Sequence, residues 1–452
     1  MTVAPCADVE VDECTDSATL APQGRPGAEA PLQEPRPTTP SAVEVMSTRA
    51  RIKLVLILGA LTALGPLTID TYLPALPSIT RDLQSTSAAV GLTLTGTLVG
   101  FALGQLLVGP LSDAFGRRRP LLIGAAVHVL ASLLCAIAPS LLTLSAFRVI
   151  QGMAASAASV VALAIVRDVA SGRAFVVLMS RMLLVMGAAP VLAPTLGSQV
   201  LRWTDWRGVF VALAVVGVAL LALAAAGLPE TLPPSRRLPG GIGGSLTAYR
   251  ALLRDRTFVG LVLVAGLTMA AVFGYVGGSS FVMQQRYGLD VQQFGLVFGA
   301  GSLALITGTQ LNPRLVARWS PARVLGATLT TGTAAAVAMV VVAATGCGGL
   351  PGLLVPLWLV LGCIGVALPN SPALALNGHA ESAGTAAALL GATQFGVAGV
   401  IGPVFGLLGL TAVTMAAVIS GSLALALIIY LLVVRPWRLP TMDPEAVSVA
   451  VH

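Results

Sequence analysis

Long apolar runs recur along the chain and constrain its fold more than any other feature. Each run is close to the roughly 20 residues that an α-helix needs to cross a ~30 Å hydrocarbon layer. They cover residues 54–76, 88–111, 120–138, 141–166, 175–198, 208–228, 257–282, 291–311, 324–345, 352–376, 383–407 and 410–434. A membrane β-barrel would instead show stretches of about ten residues with alternating hydrophobicity. The sequence therefore predicts an all-α integral membrane protein with twelve transmembrane helices.

Charged side chains are scarce. They make up 10% of the 452 residues, and 56% are hydrophobic, whereas a soluble protein carries about 25% charged residues. This composition excludes a soluble enzyme. The longest basic run is Arg117-Arg118-Arg119, which is too short to bind nucleic acid, so we expect the lipid bilayer as a partner and no nucleic acid.

The sequence indicates no cluster of reactive or metal-binding side chains. The five cysteines and three histidines stand apart, so neither a metal site nor a disulfide framework is expected. A membrane-embedded enzyme or sensor would need a nucleophile–base set, a metal cluster or a soluble output domain. A Gly-rich phosphate-binding loop with a lysine is also missing. We therefore expect no cofactor, and an ion gradient as the energy source.

Basic residues lie mainly in every second connection between the spans. If the N-terminus is cytoplasmic, eighteen Arg and Lys residues after residue 46 fall on the cytoplasmic side, and four fall outside, Arg81, Arg202, Arg207 and Arg286. This bias follows the positive-inside rule. Arginine far outnumbers lysine, which is typical of a GC-rich bacterial genome. We predict a multi-pass protein of the bacterial inner (cytoplasmic) membrane, with both termini in the cytoplasm.

The longest internal connection divides the spans into two sets of six. It covers residues 229–256, is rich in Pro and Gly, and is predicted to be a cytoplasmic linker. The predicted halves are residues 47–228 and 257–436, a plan found in secondary transporters. A faint repeat between residues 109–113 and 308–312 supports it. Residues 1–46 hold seven prolines and many acids, which predicts a disordered cytoplasmic tail, and residues 437–452 form a C-terminal tail.

Four ionisable side chains lie inside the predicted spans, and such residues are functional candidates because hydrocarbon disfavours them. Arg181 lies near the inner edge, where its side chain can extend to the interface. His128 lies near the middle, as a packing residue or a proton site. Asp70 and Arg148 lie at similar depth on two helices of one half. We predict that these opposite charges meet in one cavity, with a purely structural ion pair as the alternative.

Prolines surround Asp70. Pro74 has no N–H for the Asp70 carbonyl, and Gly65-Pro66 is expected to interrupt the helix one turn earlier. Interrupted helices in membranes belong where the backbone faces protein or a water-filled cavity. Asp70 is therefore predicted to line such a cavity.

Several stretches resemble one transporter family. Residues 109–119 (GPLSDAFGRRR) resemble the signature between spans 2 and 3 of the major facilitator superfamily. Arg148 with Gln151-Gly152 resembles the span 4 motif of its proton-driven members. Gly187 with residues 193–198 (APTLGS) is similar to the span 5 antiporter motif, with Ala193 and Ser198 where the family usually has Gly. Residues 69–77 (IDTYLPALP) and 368–371 (LPNS) resemble the bicyclomycin/chloramphenicol resistance (Bcr/CflA) subfamily of drug exporters.

This resemblance, which covers about residues 50–436, implies a major facilitator fold and a drug:proton antiporter that alternates between two conformations. It implies that Asp70 carries the proton and that Arg148 is its coupling partner. An acid at an inner loop can hold arginines in one conformation and release them in the other. The expected conformational lock consists of Gly109, Asp113, Gly116, Arg117 and Asp168.

Two further sets of residues are candidates. In span 5, Pro190 and Pro194 would bend the helix, which suits a gating element as well as a static kink. With Gly187 and Gly197 they form the expected gating helix. For the substrate cavity we select the polar or aromatic side chains Tyr72, Gln151, Tyr275, Asn370 and Gln394.

The function predicted from these features is proton-coupled efflux of small amphipathic drugs such as chloramphenicol, florfenicol or bicyclomycin. The alternative is a proton symporter that imports a nutrient or metabolite on the same fold. The span 5 motif and the stretch around Asp70 favour export by resemblance. Because a single membrane acid offers little fixed negative charge, we expect neutral or zwitterionic substrates. The expected partners are the drug, protons and lipid, and the expected state is a monomer.

Overall fold

Twelve long helices follow one another in the computed structural model, which describes residues 48–170, 172–237, 249–377, 379 and 383–438. They are α1 (Thr48–Asp70), α2 (Ser87–Phe115), α3 (Arg118–Ala136), α4 (Leu141–Val169), α5 (Gly172–Val200), α6 (Trp206–Gly227), α7 (Arg256–Phe281), α8 (Val291–Val316), α9 (Pro321–Thr345), α10 (Gly349–Asn377), α11 (Ala383–Gly399) and α12 (Ala412–Ile429). Shorter segments extend four of them: Leu73–Ala75 and Leu76–Asp82 after α1, Val282–Arg286 after α7, Ile401–Leu408 after α11, and Tyr430–Val434 after α12.

The helices have the length and composition of membrane spans. Within the described residues, eleven helical spans are long and apolar enough to cross a bilayer. The remaining helix, α5, has 29 residues and occupies the place of the predicted span 175–198. Large apolar side chains such as Ile123, Leu142 and Leu296 are exposed on the outside of the bundle, where they can contact lipid. The prediction of an all-α membrane protein with twelve spans is confirmed.

Short polar segments between the apolar runs start the helices. Asp205, Asp255 and Asp290 stand directly before α6, α7 and α8, and each side chain accepts backbone N–H groups of the first turn. Such N-caps satisfy donors that the helix itself leaves unpaired. The polar residues between the apolar runs thus determine where these spans begin.

The first helix differs from its prediction. α1 continues through Pro66 and ends at Asp70, so the expected interruption at Gly65-Pro66 is wrong. A proline inside a membrane helix is tolerated where neighbouring helices support the backbone. The break comes four residues before Pro74, which cannot donate to the Asp70 carbonyl.

The helix pairs α2–α4 and α8–α10 repeat one packing unit. A Cβ on Gly100 or Gly152 would overlap a carbonyl oxygen of the opposite helix, and the same holds for Gly308 and Gly365. In each pair, the carbonyl that a glycine approaches belongs to the opposite helix. It is the carbonyl of the residue three positions before that helix's own glycine. Gly308 therefore takes the place of Gly100, and the predicted equivalence of Gly308 with Gly109 is in the wrong register.

The first six helices meet the last six along two seams, α2 with α11 and α5 with α8. We call the end of the bundle that carries residues 116–119 and 229–237 the arginine-rich end, and the opposite end the far end. The bounds of the halves, the linker and the tails stay predictions. Residues 1–46 and most of 437–452 lie outside the described part of the chain.

Candidate functional site

The candidate site begins where α1 ends. The Thr71 N–H still donates to the Leu67 carbonyl, at 3.2 Å, before the chain enters the 3₁₀ turn Leu73–Ala75. Asp70 is the last residue of α1, and its side chain is 6% exposed. None of the described side chains forms an ion pair or hydrogen bond with its carboxyl group. A buried acid without a partner is unusual, because burial of a charge is costly unless the charge is paired.

Arg148 lies completely buried on α4, beside the same turn. Its Nη1 donates to the Thr68 carbonyl at 2.9 Å and to Gln151 Oε1 at 2.8 Å. The guanidinium carbon lies 4.5 Å from the centre of the Tyr72 ring and 5.7 Å from that of Phe210, which favours a cation. Its Nε and Nη2 have no hydrogen-bond partner among the described residues. Arg148 therefore keeps two donors available.

The predicted meeting of Asp70 with Arg148 is only partly right. Both side chains are buried near the end of α1, but they do not form an ion pair in this conformation. Arg148 instead uses the carbonyl of Thr68, two residues before Asp70, and the faces of two aromatic rings. A backbone carbonyl and two aromatic rings contact the guanidinium where a carboxylate was expected.

At the arginine-rich end, the predicted lock residues Asp113, Arg117 and Asp168 lie together. Arg117 Nη1 donates to Asp113 and, at 2.8 Å, to Ser112 Oγ. Its Nε donates to Asp168 Oδ2 at 2.8 Å. Burial disfavours the charge of this guanidinium, yet the hydrogen bonds and charges of Asp168 and Asp113 together raise the pKa of Arg117 above its usual value. One arginine thus joins the end of α2 to the end of α4.

Glu230, three residues after the end of α6, is a partner of this loop that the sequence analysis missed. Its carboxylate accepts the backbone N–H groups of Arg117 at 2.8 Å and Arg118 at 3.2 Å. Gly116 has φ +90°, and a Cβ there would overlap Glu230. Burial acts to raise the pKa of Glu230, but the N–H donors of Leu232, Arg117 and Arg118 outweigh it and lower the pKa overall. An acid immediately after an apolar run was the available signal.

The remaining glycine of the predicted lock is not explained by packing. No atom lies within 4 Å of the position that a Cβ on Gly109 would take. Its presence in the loop motif has no steric reason in this conformation.

Four of the five predicted cavity residues are buried and have their polar groups engaged. The Tyr72 hydroxyl pairs with Thr93 Oγ1 at 2.7 Å, and Gln151 Nε2 donates to Ser132 Oγ at 2.8 Å. The Tyr275 hydroxyl donates to the Phe298 carbonyl at 3.3 Å. Asn370 Nδ2 donates to Asn312 Oδ1 and to the Val366 carbonyl, both at 2.7 Å. In this conformation these side chains connect helices and do not face an open cavity.

The fifth, Gln394, is different. It is half-buried on α11, three residues after Gly391, and has no hydrogen bond to a described residue. Gln105, which the sequence analysis missed, is also half-buried, and a Cβ on Gly391 would lie 3.0 Å from its amide. Beside them Phe101 stacks on Phe395, with ring centres 4.9 Å apart. The Gln105 amide and this aromatic pair therefore lie on the α2–α11 seam, and neither the Gln105 nor the Gln394 amide bonds to a described residue.

The predicted gating helix α5 contacts both halves. A Cβ on Gly197 would overlap the Thr71 carbonyl, directly after Asp70. The Pro190 carbonyl accepts a hydrogen bond from Ser302 Oγ of α8 at 3.2 Å, and Pro194 lies on the same helix facing Gly295. Gly187 lies within α5, while its surroundings and the Arg181 side chain fall outside the described part. α5 thus joins the break in α1 to the second half.

A sequence profile of the Major Facilitator Superfamily matches residues 58–403. The chain belongs to this superfamily. Its fold agrees with that of solved members. Because the sequence identity to these structures is low, the comparison supports the fold and nothing further. The human organic anion transporter MFSD10 has a TM-score of 0.62 at 22% identity, over 84% of this chain and 99% of its own. The xylose transporter XylE from E. coli has a TM-score of 0.67 at 14% identity, over 83% and 96%.

Curated relatives cover most of this superfamily member. The uncharacterized MFS-type transporter YdgK of Bacillus subtilis is 38% identical over 386 residues, which is 83% of this chain and 95% of the relative. The bicyclomycin resistance protein homolog of Haemophilus influenzae is 30% identical over 77% and 87% of the two chains. The chloramphenicol resistance protein of Pseudomonas aeruginosa is 31% identical over 74% and 79%. The resemblance stated from the sequence is confirmed, and the protein is a membrane transporter and not an enzyme.

In this transporter the two halves are joined by hydrogen bonds near the far end. Ser280 Oγ on α7 donates to the Leu73 carbonyl at 2.6 Å, and Ser198 Oγ on α5 donates to the Val291 carbonyl at 2.9 Å. Gln292 Nε2 returns a bond to the Ser198 carbonyl at 2.7 Å. Among the described residues, every hydrogen bond between the halves lies between this end and mid-membrane.

The buried apolar side chains form two clusters, and the one that joins the halves includes residues near the far end. One cluster joins both halves and includes Leu73 and Leu76 of the first with Phe281 and Phe294 of the second. Toward the arginine-rich end, a separate cluster contains residues of the first half only, in α1 to α6 and the residues that directly follow α4 and α6. The far end is therefore closed by both polar and apolar contacts.

Proposed function

We propose that this transporter exports small drugs from a bacterial cytoplasm in exchange for protons, by alternating access between its two halves. The names of its relatives support the drug class: one is a bicyclomycin resistance protein homolog, one a chloramphenicol resistance protein, and another the multidrug resistance protein MdtL of Klebsiella pneumoniae, 28% identical over 400 residues. These three are more than two thirds covered by the present chain.

The observation that carries the proposal is the environment of Asp70. It is the acid farthest from the ends of the described spans, it is nearly buried, and it has no described partner. An acid in such a place binds a proton in one state and gives it up when its surroundings change. Arg148, whose Nε and Nη2 have no partner among the described residues, supplies a positive charge that would pair with the carboxylate or a drug oxygen in another conformation.

The distribution of positive charge and the closure of the far end support export as the direction of transport. The arginine-rich end faces the cytoplasm under the positive-inside rule, which also places both termini there. Closure of the far end then corresponds to a transporter that is closed toward the outside. An exporter takes up its substrate in this conformation, and the lock of Arg117 with Asp113 and Asp168 would change when the arginine-rich end closes.

The proposed substrates are neutral or zwitterionic molecules with polar groups, such as phenicols. Helices α2 and α11 offer the amides of Gln105 and Gln394, which have no hydrogen bond to a described residue, and the stacked rings of Phe101 and Phe395. Amides donate and accept hydrogen bonds without adding charge, and aromatic rings stack with aromatic drugs. The energy source is the proton gradient, and the proposed functional unit is a monomer.

Drug-induced loss of a preset proton gradient in proteoliposomes tests the proposal. The panel contains chloramphenicol, florfenicol, bicyclomycin and a cationic dye, and the proteins are wild type, Asp70→Asn and the matched control Asp82→Asn. Asp82 lies at the far end, where it binds Trp206 and Arg207. We expect at least one uncharged drug to dissipate the gradient with wild type and Asp82→Asn, and none with Asp70→Asn.

Two results would contradict the proposal. Equal proton flux with wild type and Asp70→Asn would show that Asp70 does not carry the proton. No response of wild type to any drug, together with sugar- or metabolite-driven proton uptake, would replace drug export by nutrient symport.

A further inference from the structure

A closed ring of buried polar groups lies behind Asp70 and Arg148 and connects α1, α3 and α4. Arg148 Nη1 donates to Gln151 Oε1, and Gln151 Nε2 donates to Ser132 Oγ at 2.8 Å. Ser132 Oγ donates to the His128 carbonyl at 2.7 Å. The His128 Nε2 lies 2.9 Å from Thr68 Oγ1, and the Thr68 carbonyl accepts from Arg148. All five side chains are completely buried.

The neighbours of Thr68 determine which nitrogen of His128 carries the proton. The Thr68 hydroxyl donates to the Leu64 carbonyl at 2.6 Å, and it has only one hydrogen to give. The His128 imidazole must therefore donate from Nε2 to Thr68 Oγ1. This leaves Nδ1 as a bare acceptor, which has no described partner and faces α6, where Gly217 leaves room for the ring. An unpaired acceptor is tolerated better than an unpaired buried N–H.

Thr68 is the residue through which His128 reaches the site. In a continuous helix its carbonyl would accept the Tyr72 N–H, but α1 ends at Asp70, and after the Thr71 N–H the helical hydrogen bonds stop. The freed carbonyl accepts from Arg148 instead. His128 holds the side chain of the same residue, so the position of this carbonyl, and with it that of the guanidinium, depends on the imidazole.

We infer that His128 is a positioning residue for the Asp70–Arg148 site: its neutral imidazole fixes Thr68 and keeps Arg148 on the Thr68 carbonyl, apart from Asp70. The inference rests on the proposed function of that pair. The titratable groups near the guanidinium are Tyr72, in the turn after α1, and His128 and Cys135 on α3. Asp70 ends α1, and Tyr275 on α7 of the other half lies on the side of Asp70. Without the ring, Arg148 is free to pair with Asp70 in the conformation that should bind the proton.

Four variants of the full-length transporter in proteoliposomes test this role. His128→Gln keeps an N–H donor near Nε2 but cannot titrate, and His128→Leu removes the donor at similar volume. Thr68→Val removes the hydroxyl that accepts the His128 N–H. The double variant Thr68→Val/His128→Leu measures whether the two residues act together. His379→Gln at the arginine-rich end, where His379 lies 3.4 Å from Asp255, is the matched control.

We expect His128→Leu to lower drug-dependent proton flux at least tenfold, with KM for the drug within about threefold of wild type. His128→Gln should retain at least a third of the flux and the wild-type pH midpoint, and the double variant should be no worse than the poorer single variant. A His128→Gln variant as inactive as His128→Leu, yet equally folded by its melting temperature, would overturn the inference in favour of a titrating histidine. Unchanged flux in His128→Leu would also overturn it.

A second measurement needs no transport. In ¹⁵N spectra of histidine-labelled protein, His128 should be protonated at Nε2 and bare at Nδ1, and its Nε2 signal should move in Thr68→Val but not in Thr93→Val. The opposite tautomer, or no response to Thr68→Val, contradicts the inference. Failure of the proposed function would instead appear in the wild type, as an absence of drug:proton exchange with this spectrum intact.

Discussion

The carboxyl group of Asp70, the last residue of α1, meets no described partner, and two donor nitrogens of Arg148 nearby also have none among the described residues. Unpaired buried polar groups are rare in folded proteins, and each calls for a reason. Both residues stood out in the sequence because they interrupt apolar runs. Their separation in this conformation was not predictable, because the carbonyl that Arg148 uses becomes free only where the helix ends.

The stabilisation of the fold by Glu230 should depend on pH. Because its pKa in the folded protein lies below the usual value, its carboxylate stabilises the fold above the unfolded-state pKa of about 4.3, and this stabilisation is lost as the pH falls through the folded-state pKa. Glu230→Gln should therefore melt below wild type at pH 7, and the difference should shrink once the pH is below about 4. Glu230→Ala, which loses all three N–H contacts, should melt lower at every pH. A constant wild-type–Gln difference across this range would contradict the account.

Gly152 tests the close contact between α2 and α4. A Cβ there would overlap the Thr97 carbonyl of α2, so Gly152→Ala must push α2 and α4 apart, at a cost of about 1–3 kcal/mol. The matched control is Gly396→Ala on α11, where no atom lies within 4 Å of the new methyl group. We expect a lower melting temperature in detergent for Gly152→Ala only. Equal melting of both variants would show that the contact is looser than described.

At the scale of helices, the sequence predicted the number and order of the spans but not their breaks. Every predicted span has a helix, because a run of about 20 apolar residues has few other ways to satisfy its backbone in lipid. α1 passes through Pro66 but stops at Asp70, and α11 breaks at Val400. Whether a proline or glycine ends a helix depends on the neighbouring helices that support it, which the local sequence does not record.

The end of α7 holds the far end closed through Ser280. Its hydroxyl donates to the Leu73 carbonyl and accepts from Gln284 Nε2 at 2.9 Å. The Leu73 carbonyl also accepts the Leu76 N–H, so Ser280→Ala removes one of its two hydrogen bonds, which costs about 0.5–1.5 kcal/mol and should favour the opposite conformation severalfold. Spin-label distances between the far ends of α1 and α7 should lengthen.

Ser279→Ala is the control for that measurement. The Ser279 hydroxyl donates to Val276 within its own helix, at 3.4 Å, so its loss should leave the distances unchanged. If both variants behave alike, the bond between Ser280 and Leu73 does not hold the halves together.

For the whole molecule, the sequence predicted two six-helix halves and the resemblance identified the family, but the internal repeat was assigned in the wrong register. The true repeat is carried by Gly100 and Gly152 in one half and Gly308 and Gly365 in the other. These glycines are matched by the carbonyls they approach, and only the packed structure reveals those contacts. Which cavity residues face the substrate also depends on helix rotation, and helices that are apolar all round give little signal of it.

The central claim is that Asp70 exchanges its proton for the drug. Proton release from the purified transporter in lightly buffered detergent, followed with a pH indicator while the active drug is added, tests it most directly. We predict saturable release from wild type and from Asp82→Asn, and no release from Asp70→Asn. Equal release from Asp70→Asn and wild type would contradict the account and assign the coupled proton to another group.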